Sequence, residues 1–203
     1  MTHATPKPTT PLGLPTGSIR GLLALQITVI FLLLLLVPKE NQVPIPLNIY
    51  FLLSMVMVFF VAHGASIPER AHPSPSPLWL PGGTLRILML GSAVAGLVYL
   101  GVSHPERFDR LTPNPDQFVN WKYYLAATAG GFAFGHVIKI FPVPHGWGFY
   151  TFQAWAALIA MASLLIETIL QVFVKPTLAE MLDFVSWQCV VTAIVAFYYG
   201  VRS

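Results

Sequence analysis

The chain has 203 residues, of which 55% are hydrophobic and only 9% charged, with a formal net charge of +3 at neutral pH; soluble globular domains carry about a quarter of their residues as charges. This composition points away from a soluble domain and toward an integral membrane protein whose first partner is the lipid bilayer. The positive charge is spread thinly over connections, without the lysine and arginine block of a nucleic-acid or anionic-lipid patch, so nucleic acid is not an expected partner.

The apolar runs are about the 20 residues that a helix needs to cross a hydrocarbon core, and alternating ten-residue strands are absent. An all-α, polytopic membrane bundle of six transmembrane helices arranged as three helical hairpins is the expected fold. Residues 1–16 read as a flexible Pro/Thr-rich tail, followed by hairpin 1 (17–66), a Pro-rich linker (67–82), hairpin 2 (83–141) and hairpin 3 (142–203). The predicted spans are 19–37, 47–65, 85–102, 121–141, 150–174 and 181–200. All 18 prolines fall between them, as expected where a lost backbone donor has no water to replace it.

The first span follows the phrase PTGSIRGLL without a small-residue cleavage pattern, so it reads as a retained anchor. Its Leu32-to-Leu36 run predicts a face turned to lipid or to another subunit. The third span opens on a near copy, PGGTLRILM. In the two copies Ser18 and Thr84 are expected to cap their helices, and Arg20 and Arg86 to reach headgroups while their methylenes stay apolar. The copies suggest an internal repeat with both on one membrane side. Glycines near the ends of the even spans, Gly64, Gly135 and Gly200, are expected to take the left-handed cap conformation.

Small residues let helices approach closely in lipid. The fourth span carries Ala127, Gly131 and Gly135 four apart; the third adds Gly91 with Ala95 and Ser92 with Gly96, and the fifth Ala156 with Ala160. Spans three to five are therefore expected to form the tight centre. The fourth also contains a histidine and a lysine, which leaves a re-entrant segment as the alternative to a full crossing.

Ionisable groups at membrane depth are the candidate functional residues. His63 and His136 lie at similar depths on spans running the same way, which permits a shared haem or metal; hydrogen bonding at the interface is the expected reading, and the cofactor stays unknown. Glu167, in LLIETILQ, is the one acid well inside a span. Gln188 and Gln171 are its expected hydrogen-bond partners, and a proton or cation site is the functional alternative.

The chain lacks H-E-x-x-H, G-x-S-x-G and the phosphate-binding loop, and its connections are too short for a catalytic domain, so enzymatic activity is not expected. The preferred expectation is a structural or accessory subunit of a membrane complex, bound to other membrane subunits or to itself. The alternatives are a small channel or transporter using Glu167 and a haem-binding bundle using His63 and His136. Basic residues divide almost evenly between the two sides; the reading adopted places both termini in the cytoplasm, in the plasma (inner) membrane.

Overall fold

The computed structural model describes Leu14 and residues 17–36, 45–65, 84–113, 115–141, 147–174 and 184–202. The expected linker 67–82 and, apart from Leu14, the expected tail lie outside these residues. All regular structure among them is helical: α1 (Ser18–Leu36), α2 (Leu47–Ala65), α3 (Thr84–Ser103), the short α4 (Pro115–Phe118), α5 (Trp121–Ile140), α6 (Trp147–Ile169) and α7 (Val185–Arg202). A 3-10 stretch, Pro105–Leu111, links α3 to α4, and a π-helical turn, Leu170–Val174, continues α6.

Proline ends helices here as the sequence suggests. His104 and Phe141, each followed by a proline, leave the helical region at φ −146° and at φ −68°, ψ 138°. Ring sterics disfavour helical backbone in the residue before a proline. None of the six long helices contains a proline, and α5 is one uninterrupted helix of 20 residues. Two helical stretches, Ser18–Leu36 and Thr151–Phe173, are long and apolar enough to cross a membrane, whereas Leu47–Phe60 and Ile87–Ser103 are apolar but shorter.

α1 is central, so within the leucine run Leu34 and Leu35 are buried against the expectation, while Leu33 and Leu36 keep an outward face. Leu23, Ala24, Ile27, Leu34 and Leu35 are buried among residues of α2, α6 and α7, and only Val29, Leu33 and Leu36 of this helix stand out as exposed large side chains. Gln26 ties α1 to α6 by donating Nε2–H to the Met161 carbonyl at 2.7 Å. An unbroken aliphatic run satisfies lipid and protein core equally, so hydropathy alone could not choose between them.

The tightest contact joins α5 to α7 rather than spans three to five. A Cβ added to Gly131 would stand 2.5 Å from the Ala193 carbonyl oxygen, one on Gly135 would collide with the Phe197 carbonyl, and one on Gly200 with that of Phe132. Gly131 and Gly135 thus face Ala196 and Gly200 as two small-x-x-x-small edges in parallel helices, the arrangement that brings backbones together in lipid. Gly135 and Gly200 lie inside their helices, and Gly64 lies within α2, so none is a left-handed cap. Gly130 is different, because nothing lies within 4 Å of where its Cβ would be. Gly130→Ala is expected to raise the stability to thermal unfolding by about 0.5–1 kcal/mol through helix propensity. Gly131→Ala, its neighbour, should lower it by about 1–3 kcal/mol.

α3 packs on α1, again in parallel: Leu85 lies over Gly21 and Leu32 over Gly96. The principal neighbours of α3 are therefore α1 and the following 3-10 stretch, and that of α5 is α7. After α3, Arg107 donates to the Leu36 carbonyl at 3.0 Å and so satisfies an end group of α1. Consecutive long helices alternate in direction, with the starts of α2, α5 and α7 beside the end of α6.

At the opposite end the described parts of the two similar phrases, residues 17–23 and 84–89, lie side by side, with Leu85 over Gly21. The first carbonyl of the α1 ladder belongs to Gly17, which accepts from Gly21 N–H at 2.9 Å and has φ 90°. Only glycine takes that conformation without a steric penalty. The cap position is therefore Gly17, and the expected capping residue Ser18 is the fully buried first residue of the helix. The Arg20 guanidinium sits 4.8 Å over the Phe59 ring, and Tyr199 donates its hydroxyl to the Arg20 carbonyl at 3.2 Å. Arg20 thus joins α1 to α2 and α7 by cation–π and main-chain contacts. Thr84 is half-buried at the first position of α3, and the side chain of Arg86 lies outside the described residues.

Candidate functional site

Four of the buried polar side chains of the bundle, Asn48, Glu167, Gln171 and Gln188, gather at one carboxylate. Glu167 is 3% exposed, two residues before the end of α6, and its Oε1 accepts from Gln188 Nε2 on α7 at 2.8 Å. Asn48, the second residue of α2, donates Nδ2–H to Oε1 and Oε2 at 3.3 and 3.5 Å. Gln171, in the π-helical turn, donates to Oε1 at 3.4 Å. Tyr124 of α5 completes the group by donating its hydroxyl to Gln188 Oε1 at 2.5 Å.

Local sequence explains the convergence. Asn48 follows the turn at Pro46, whose carbonyl accepts from Ile49 N–H. Tyr124 and Gln188 each occupy the fourth position of their helices, about one turn or 5 Å inside the helix start. Because α6 runs the other way, Glu167 reaches the same depth just before its end. The stack of Phe51 on Tyr124, with centroids 6.4 Å apart, holds the phenol against α2.

The arrangement gathers donors on one carboxyl group: amide N–H groups from three elements meet it, and a fourth element orients the closest of them. Such hydrogen bonds are stronger where the carboxyl group is ionised and water is excluded. The acceptor ends are less well served. Asn48 Oδ1 and Gln171 Oε1 are buried and have no hydrogen-bond partner among the described residues. Further along α6, Gln153 is buried with neither end of its amide partnered, and Thr192 Oγ1 on α7 is likewise without a partner.

The sequence-derived candidates fare unequally. Glu167, Gln171 and Gln188 come together, whereas Asn48 and Tyr124 were missed, because an asparagine and a tyrosine near helix starts carry no distinguishing signal. His136 is exposed on α5, and the His63 side chain lies outside the described residues. Ala127 is partly buried on α5, below Gly131 and Gly135. No group of three or more histidine, cysteine, aspartate or glutamate side chains able to hold a metal occurs among the described residues. Comparison with protein-family models, with curated proteins and with solved structures gave no match.

Proposed function

We propose that this chain is a non-catalytic integral membrane protein whose six long helices cross the bilayer, and that it serves as a structural or accessory subunit of a membrane assembly. The alternating helix directions support six crossings with both termini on one side, read here as the cytoplasmic side of the plasma (inner) membrane. The parallel register of α1 with α3 supports reading the similar phrases as an internal repeat.

The outer face of α3 carries the subunit reading. Ile87, 73% exposed, and Val102, 80% exposed, bound a stripe that also contains Leu90, Val94 and Val98. Gly91 and Ala95 lie exposed on the same helix, and nothing stands within 4 Å of the Gly91 Cβ position. An apolar face with a small-x-x-x-small edge is what lets a further helix approach to backbone distance.

Purification in mild detergent is the test. A stoichiometric membrane partner, or a second copy, is expected to accompany the parent protein. Gly91→Leu should abolish that association while leaving the thermal unfolding midpoint of the isolated chain unchanged. A parent protein that purifies as a lone monomer would refute the subunit reading.

A further inference from the structure

We infer that the Glu167 cluster is a binding site for a monovalent alkali cation, held by the Glu167 carboxylate together with the carbonyl oxygens of Asn48 and Gln171. Three observations lead there: a buried carboxylate, two buried amide oxygens without partners beside it, and a π-helical turn at the residue carrying one of them.

A primary amide has a donor end and an acceptor end of nearly the same shape, so a half-turn about its last torsion exchanges them. With the donor ends of Asn48 and Gln171 inward, the carboxylate is satisfied and two carbonyl oxygens are stranded in a water-poor interior. With the acceptor ends inward, the two carbonyls join the carboxylate as oxygen ligands, the donor set that hard cations take, and the amide N–H groups take the outward positions.

Gln188 does not share this freedom. Tyr124 donates to its Oε1, so its N–H end is fixed toward Glu167 and keeps one hydrogen bond on the carboxylate in either arrangement. The switch is confined to Asn48 and Gln171, which approach Glu167 from α2 and from the π-helical turn. Such turns recur at functional sites.

A protonated Glu167 has a single O–H and meets one inward carbonyl, whereas a cation takes both inward carbonyls as ligands. Counting charge decides the valence: one carboxylate and neutral amides balance a single positive charge, and a divalent ion would leave net charge buried in a low-dielectric site.

Thermal unfolding of the full chain in detergent, at constant ionic strength, tests the assignment. LiCl, NaCl or KCl should raise the midpoint of the parent over choline chloride, saturably and by about 2–4 °C or more. Asn48→Leu and Gln171→Leu should each raise the half-saturating salt concentration about tenfold or more, the effect of one lost ligand. Glu167→Gln should remove the dependence. Gln153→Leu, a buried amide on α6 about 20 Å from the cluster, should retain it. Equal midpoints of the parent in all four salts would overturn the inference, and this arm needs no variant to fold. Stabilisation that follows pH but not the identity of the cation would overturn it as well, in favour of a proton, and a dependence left intact in both leucine variants would remove the assigned ligands.

Discussion

Gly135→Leu is expected to separate α5 from α7 and to be the most destabilising single substitution on the glycine edge. A side chain at residue 135 points at the Phe197 carbonyl and at Val201 N. These are main-chain atoms of a helix and cannot rotate aside as a flexible side chain would. Overpacking a well-packed core costs about 1–3 kcal/mol, and here a whole leucine must enter a backbone-to-backbone contact, so the effect should reach or exceed the top of that range. Thermal unfolding in detergent, with protease sensitivity of the α7 region as a second readout, checks it; an unchanged midpoint would show that the two helices are not in close contact.

Glu167→Leu should come next, for an electrostatic reason. The substitution removes the acceptor of the donors from Asn48, Gln171 and Gln188 and leaves three amides buried without it. Stranding a buried donor costs about 1–3 kcal/mol, but neighbouring losses are not additive, and interhelical hydrogen bonds in membranes average only about 0.6 kcal/mol. A net loss of about 2–3 kcal/mol is expected. Glu167→Gln keeps an acceptor oxygen and the shape, and should lose less than half as much. Chemical denaturation of the two variants against the parent measures the difference, and equal losses would mean that shape rather than hydrogen bonding governs the site.

The parts of this fold legible in the sequence are those set along a single helix. Proline placement and apolar length located the six long helices, because backbone donors and chain length are local properties. Gly131 and Gly135 announced a close contact for the same reason. Their partner was not legible: Gly200 looked like a cap, and only the three-dimensional arrangement sets it against Phe132. Leu34 and Leu35 were assigned to the surface because leucine has no preference between lipid and a helical core. Glu167 and Gln188 could be matched by depth, since both are strongly polar within apolar runs. Asn48 and Tyr124 sit close to helix starts, where polar residues are ordinary, so neither drew notice.

The parallel pairing of α5 with α7 also imposes an order in time. A ribosome delivers α5 first, then α6, and only afterwards the helix that covers the glycine edge, an interval of seconds at about 5–20 residues per second. Throughout that interval Gly131 and Gly135 are bare and Tyr124 has no Gln188 to meet. Nascent chains halted between α6 and α7 should therefore be the ones that insertion chaperones hold longest.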